Sequence, residues 1–286
     1  MKLGCIDYLN CYPFYYRMLE FEPVEGVEIV PAYPSDLNRM IQEGMLDMSP
    51  VSAAAYTNIY HDTVLLPDIC LSSVGYVRSV ILISRTPIED LHHKKVGLSS
   101  ASKTSVILLK MLLQKYYGID PVYMQTDPYP RLEDTGCDAA LVIGNEAMQA
   151  IKEPYVYDLG DLWLRKTGYP VVFAVFALRK DGISKYFKTI ESVIRSYHDS
   201  LMCLDTDRER LIQKACRKYP SISYDIDAYY RVLEYRFTPL LKDALDFYLD
   251  IAGETGLLDK VGSVNYFDPQ EYNPCYGESC CESEAV

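Results

Sequence analysis

No stretch of this chain holds the roughly 20 consecutive apolar residues that a helix needs to cross a bilayer, so no membrane span is expected. The apolar central run of a signal peptide is missing as well: one Lys and a short strand-like segment lead straight to Asp7 and Asn10. The expectation is a cytoplasmic protein with no membrane partner. Positive charge is scarce. There are 28 Lys and Arg against 40 Asp and Glu, a formal net charge of −12, and an acidic surface argues against nonspecific nucleic-acid binding. A small anionic ligand remains compatible, because one local site can be positive on an acidic protein.

A disulfide framework is also absent. Cysteines stand at positions 5, 11, 70, 137, 203, 216, 275, 280 and 281 without framework spacing, mostly within apolar runs. In a cytoplasmic chain such residues act mainly as small buried hydrophobes. The exception is Cys275, Cys280 and Cys281, in the segment 270–286. Cys-x4-Cys-Cys is not a zinc spacing and no His lies near it, so this segment reads as a flexible tail.

Catalytic signatures are missing too. There is no Gly-x-Ser-x-Gly, Cys-x-x-Cys, nucleotide P-loop, dinucleotide fingerprint or Ser/His/Asp order. His61, His92, His93 and His198 lie in polar or helical contexts and read as surface residues. With no convincing metal cluster either, the chain is expected to work without metal or cofactor, or simply to bind.

What is present is an apolar fraction of 49% in 286 residues, enough for one large domain or two lobes. The first 180 residues alternate strand-like with helix-like segments. "KLGCI" is a strand. "SDLNRMIQEG" is a helix with Ser35 as N-cap, Leu37, Met40 and Ile41 on one face, and Gly44 as terminator. "LDMSPVSAAAY" is a strand end running into a short helix, and "SVILISR" is a buried strand. A second series follows: strand "KKVGLSS", helix "KTSVILLKMLLQKYYG" capped by Ser102 and ended by Gly118, strands "PVYMQT" and "CDAALVIG", helix "NEAMQAIKE", strand "YVYDLG" and long strand "YPVVFAVFALR". Such alternation marks helices flanking parallel sheets. From residue 184 onward the pattern is helical only. Two series plus a helical tail suggest two lobes that the chain crosses twice, at 83–88 with Pro87 and at 174–180. Residues 1–86 and 176–286 would then form one lobe and 87–175 the other. A single doubly wound sheet is the alternative.

Ligands of open α/β sheets gather at strand carboxyl ends and helix N-termini. Four loops qualify: "DYLNCYP", "SPVSAAAY", "SSASKTS" and "IGNEAM". In the third, Ser99, Ser100, Ser102, Thr104 and Ser105 crowd a helix start, where free N–H groups and hydroxyls can cradle a carboxylate or phosphate. Plain N-capping by one Ser is the simpler explanation of any one of them. Arg78 and Ser79 precede a buried strand. Arg can hold a carboxylate bidentately, or it can form an ordinary surface ion pair. Asn10 can both donate and accept, or can merely turn the chain before Pro13. Tyr8, Tyr12, Phe14, Tyr15 and Tyr16 can fill a core or wall a pocket for a flat ring.

Taken in order, "YLN" with Pro three residues on, "LDMSPVSAAAY", "LLPDICLSSVGYVRSVILIS", "SKTSVILLKMLL", "ALVIG", "YDLGDLW" and "YPVVFAVFALR" carry a resemblance. From residue 3 to about 260 the chain resembles the chorismate dehydratases of the futalosine route to menaquinone. The resemblance implies an α/β fold like that of type 2 periplasmic solute-binding proteins, two-lobed, with a central cleft and a helical C-terminal segment. It also implies a cofactor-independent loss of water from the small molecule chorismate, giving 3-[(1-carboxyvinyl)oxy]benzoate. On that basis Asn10 is expected at the reacting ring, as the catalytic residue. Tyr8, Ser52, Arg78, Ser79, Ser100, Ser102, Thr104, Ser105 and Asn145 are expected to bind substrate. Departures from the family are Asp7 where Ser is usual, Asn145 where Asp is usual, and Phe176 in place of Trp. Asp7 would set a negative charge near a dianion unless it is turned away or paired. Two other readings compete. One is a non-catalytic binder or sensor of an aromatic or dicarboxylic anion. The other is the related enzyme that makes 1,4-dihydroxy-6-naphthoate, whose "SPCPND"-like opening is absent here.

Overall fold

The computed structural model describes residues 1–127, 131–149 and 151–273; the tail cysteines Cys275, Cys280 and Cys281 lie outside the described residues. The strands are β1 Lys2–Ile6, β2 Glu28–Ala32, β3 Met48–Ser52, β4 Thr63–Ser73, β5 Val80–Ser84, β6 Lys95–Ser99, β7 Val122–Thr126, β8 Ala139–Ile143, β9 Tyr155–Asp158, β10 Val171–Arg179 and β11 Leu233–Arg236. The helices are α1 Tyr12–Glu20, α2 Pro34–Gln42, α3 Lys103–Met111, α4 Leu132–Thr135, α5 Leu159–Thr167, α6 Lys180–Thr206, α7 Arg208–Lys218, α8 Ile226–Val232, α9 Pro239–Glu254 and α10 Pro269–Tyr272.

Apolar runs at β3, β5 and β8 are buried along their whole length, as strands covered on both faces must be. They are divided between two sheets. The first has the order β11-β4-β10-β3-β1-β2 and the second β7-β6-β8-β5-β9. Within the first, β1 runs parallel to β2 and β3, whereas β10 is antiparallel to β3 and β4. Within the second, β6 is parallel to β7 and β8, and β5 is antiparallel to β8 and β9. The molecule is thus a two-lobed α/β protein.

The chain changes sheet between β4 and β5, and again between β9 and β10. Both crossings differ from expectation. Residues 80–84, expected in the first lobe, pair in the second sheet. Residues 171–175, expected in the second, pair in the first. Pro87 only precedes a short turn, Ile88–Leu91. A β-branched run looks alike whichever sheet receives it, so periodicity carries no sheet membership. The two crossings touch. A Cβ on Gly160 would stand 2.2 Å from the Gly75 carbonyl oxygen, and Gly75 has φ +85. The Asp158 carboxylate caps α5 by accepting from Asp161 N–H at 3.1 Å, and it also accepts from Val77 N–H at 3.1 Å and Arg78 N–H at 2.6 Å. Burial raises the pKa of this carboxyl group, and the backbone donors of Asp161, Arg78, Val77 and Gly160 oppose that rise.

Three further local expectations are corrected. α2 is capped by Tyr33 with Pro34 in its first turn, not by Ser35, since Pro is pre-set for the first helical position. Among the described residues of "NEAMQAIKE" the only helical element is a short turn, Glu146–Met148, after which Gln149 is extended. The C-terminal part is not wholly helical: β11 joins the edge of the first sheet, and its buried/exposed alternation is a four-residue strand signal. Among the early aromatics, Phe14, Tyr15 and Tyr16 are fully buried. Phe14 packs on Phe176 with ring centroids 4.6 Å apart, and the Tyr15 hydroxyl donates to the Gly4 carbonyl at 2.7 Å. The chain's single tryptophan, Trp163 on α5, is buried against Tyr116, Phe247 and Tyr248.

Candidate active site between the lobes

Four chain segments end at one recess between the sheets. The turn after β1 supplies Tyr8 and Asn10, the end of β3 supplies Ser52, the residue before β5 is Ser79, and the start of α3 supplies Ser102 and Ser105. All six were expected at the site from sequence. Leu71, Val77, Phe173 and Leu233 add apolar wall, and the recess measures about 50 Å³. No Lys, Arg, His, Asp or Glu lines it among the described residues.

Ser102 caps α3, accepting from Ser105 N–H at 3.3 Å, and the two hydroxyls stand 3.1 Å apart. Two hydroxyls therefore meet the recess at the start of a helix, the positive end of its dipole. Ser52 is held by Asn38 of α2. Its N–H donates to Asn38 Oδ1 at 2.9 Å, and Asn38 Nδ2 donates to Ser52 Oγ at 3.2 Å. Asn10 Oδ1 and Ser79 Oγ are buried without a hydrogen-bond partner. Buried polar groups are normally satisfied, so these two atoms are left for bonds that form when the site is loaded. Cys11 also lines the recess, and burial first, with Cys5 adding to it, pushes its thiol well above the ordinary range. A protonated thiol is a poor nucleophile.

The remaining expected residues sit elsewhere. Thr104 is committed to the fold: its hydroxyl donates to the Phe173 carbonyl at 3.1 Å and accepts from Ala54 N–H at 3.1 Å. It ties α3 to the first lobe. Ser100 is exposed and faces a separate outer recess with Asn38, Asn58 and Lys103. Arg78 has φ +67, and its guanidinium lies over the Tyr224 ring at 5.1 Å, outside the recess lining. Asn145 Oδ1 accepts from Leu9 N–H at 3.0 Å, a bond between the lobes. Its neighbour Gly144 does reach the recess. Gly144 has φ +67, and a Cβ there would stand 2.8 Å from the Tyr8 ring, so the second lobe closes directly onto Tyr8.

Asp7 resolves the charge problem by facing outward. It pairs with Lys218 Nζ at 3.0 Å and accepts from the Tyr219 hydroxyl at 2.9 Å. Sequence reasoning missed Asn38, Phe173 and Tyr229. Asn38 shares a polar face with ordinary helix-surface residues. Tyr229 lies in a C-terminal helix with no motif around it. It is fully buried, and burial raises its phenol above the ordinary range, opposed by neighbouring Ser79 and Asn10.

The chain matches a family model described as menaquinone biosynthesis over residues 1–254. It is 32% identical over 198 residues to the chorismate dehydratase of Thermus thermophilus, covering 63% of this chain and 70% of that protein. It is 25% identical over 162 residues to the 1,4-dihydroxy-6-naphtoate synthase of the same organism, covering 56% of this chain and 58% of that one. Among solved structures, a protein of Archaeoglobus fulgidus has a TM-score of 0.73 at 18% identity, covering 90% of this chain and 98% of that one. The periplasmic aliphatic sulphonate binding protein of Escherichia coli has a TM-score of 0.64 at 13% identity, covering 94% and 93%. These structural likenesses establish a periplasmic-binding-protein-like fold.

Proposed function

We propose, from the premise that this chain belongs to the menaquinone biosynthesis family, that it dehydrates chorismate to 3-[(1-carboxyvinyl)oxy]benzoate on the futalosine route, in the cytoplasm. The observation that carries the reading is the interlobe recess, where uncommitted polar atoms of Asn10 and Ser79 face the hydroxyl-lined start of α3. The six described cysteines are all unpaired, which fits a reducing compartment. Among the described residues no helix is long and apolar enough to cross a membrane.

Chorismate is a dianion bearing a ring hydroxyl and an enolpyruvyl ether. In the elimination a ring C–H bond breaks, its electron pair becomes a ring π bond, and the C–O bond to the hydroxyl breaks. Proton and hydroxide leave as water, and no electron acceptor is consumed. Aromatisation drives the step. Among the described residues the lining offers no ionised side-chain base, and burial keeps the Cys11 thiol protonated. The proton acceptor is therefore a carboxylate of the substrate itself. Ser102, Ser105 and the α3 N–H groups hold one carboxylate without a cationic side chain. Asn10 and Ser79 contact the departing hydroxyl, where donors aimed at developing charge stabilise the transition state. Fixing one reactive geometry contributes several kcal/mol more.

A recess of about 50 Å³ is far below the roughly 300–1,000 Å³ of drug-sized ligand sites. Substrate therefore enters with the lobes apart, turning about the Gly75 and Gly160 crossings. The deciding experiment mixes purified protein with chorismate and follows products by chromatography. Appearance of the enolpyruvyl benzoate is expected. Saturable binding of chorismate without product would instead make the protein a sensor and defeat the enzymatic reading.

A further inference from the structure

α8 is a short helix capped by Asp225, whose carboxylate accepts from Asp227 and Ala228 N–H groups. It carries two adjacent buried tyrosines, stacked with ring centroids 6.1 Å apart. Their hydroxyls have different fates. Tyr230 donates to the Leu9 carbonyl at 3.1 Å, and so anchors α8 onto the very turn that presents Asn10. The Tyr229 hydroxyl has no hydrogen bond of acceptable geometry, although it lies against Ser79 and Asn10. At the end of α8, Leu233 reaches the recess wall.

Three buried polar atoms, Asn10 Oδ1, Ser79 Oγ and Tyr229 Oη, thus come together unsatisfied from three separate parts of the chain. The Tyr229 hydroxyl is set apart from other unpaired buried phenols by lying against two recess residues that themselves have unpaired atoms. Nothing in the packing of α8 uses the oxygen, because Tyr230 already makes the anchor.

Resting on the dehydratase reading, we propose that Tyr229 is a positioning residue of this site, its O–H donating to Asn10 Oδ1 once the lobes close on substrate, which leaves the Ser79 O–H free to face the leaving hydroxyl. Asn10 is then turned so that its Nδ2 group faces the leaving hydroxyl rather than the protein interior. Burial keeps the phenol protonated, so the donor persists across the working pH range. An amide whose oxygen is held can present only its two N–H donors to the substrate, which gives the site one orientation in place of two.

Tyr229→Phe is the test, since it keeps the ring and its stacking and removes one oxygen. Wild type and variant are assayed on chorismate, with thermal unfolding measured on both. The expected result is a fall in kcat of about tenfold or more with KM changed less than about threefold, and a Tm equal to or above wild type. Combining Tyr229→Phe with Asn10→Ala should cost no more than Asn10→Ala alone, because both act through one amide. Tyr230→Phe, which loses the Leu9 anchor, should lower Tm. A Tyr229→Phe enzyme with wild-type kcat overturns the proposal. So does a loss that multiplies with that of Asn10→Ala, or a variant that unfolds, which would make the hydroxyl a structural bond. A wild-type protein that leaves chorismate intact overturns the functional reading itself, and the positioning role with it.

Discussion

The hinge and the recess are built from similar materials and finished differently. At the hinge, Asp158 is surrounded by backbone donors and Ser73 donates to the Gly75 carbonyl at 3.1 Å, while at the start of α3 Thr104 uses its hydroxyl both as donor and as acceptor to tie the lobes together. A few residues away, Ser79 and Asn10 are just as polar and almost as deep, yet each leaves an atom unmatched. The contrast separates groups that hold the lobes from groups that wait for a guest. Between these particular residues depth and polarity make little distinction, whereas hydrogen-bond satisfaction does.

Substitutions at the hinge should cost stability, and substitutions at the recess should cost rate. The largest effect is expected for Gly160→Ala, whose new methyl would meet the Gly75 carbonyl at 2.2 Å. Backbone gives way less readily than side chain, so a loss of about 3 kcal/mol or more is expected, read as a collapse of Tm or of soluble yield. An alanine variant of normal stability would mean that the crossings do not touch. Next comes Ser79→Ala. It removes an unpaired oxygen, so kcat should fall about 10²-fold while the denaturation midpoint holds or rises. A destabilised but fully active variant would erase the distinction drawn above.

Ser102→Ala and Ser100→Ala sharpen it within one loop. The first removes the α3 cap, at about 1 kcal/mol, and a carboxylate donor as well. The second alters an exposed residue outside the recess and should leave kcat within about twofold. The smallest effect lies far from both regions. The His198 imidazole sits 2.5 Å from Asp68, whose hydrogen bond raises its pKa above the ordinary 6.5. A raised folded-state value means that this pair's stabilisation is complete below about 6.5 and fades as pH climbs through the folded-state value. Asp68→Asn should bring the His198 NMR titration back toward the ordinary value and change unfolding stability only marginally.

Much of the site was legible because strand ends and helix starts are where sheets of this kind collect ligands. That rule alone brings Asn10, Ser52, Ser102 and Ser105 together, whereas Ser79, which stands before a strand, is signalled by its place beside Arg78. It fails one residue further on. Thr104 and Ser105 are neighbouring hydroxyls of one helical turn, but they point about 100° apart, and the docking of α3 decides which meets the recess. Arg78 misleads for another reason. Its left-handed backbone is uncommon for a residue with a Cβ, and it turns the guanidinium toward Tyr224 instead of the cleft. The lobe boundaries were misjudged because Val80–Ser84 suits either sheet equally well. Tyr229 left no trace in the pattern, since its role depends on where a helix 150 residues from Ser79 comes to dock.

The lone indole offers a practical dividend. Trp163 stands on α5 beside the second crossing, with rings from α9 against it. Its emission is the protein's only tryptophan signal, so any change in its packing when a small molecule draws the halves together can be followed without an attached dye, before product has formed.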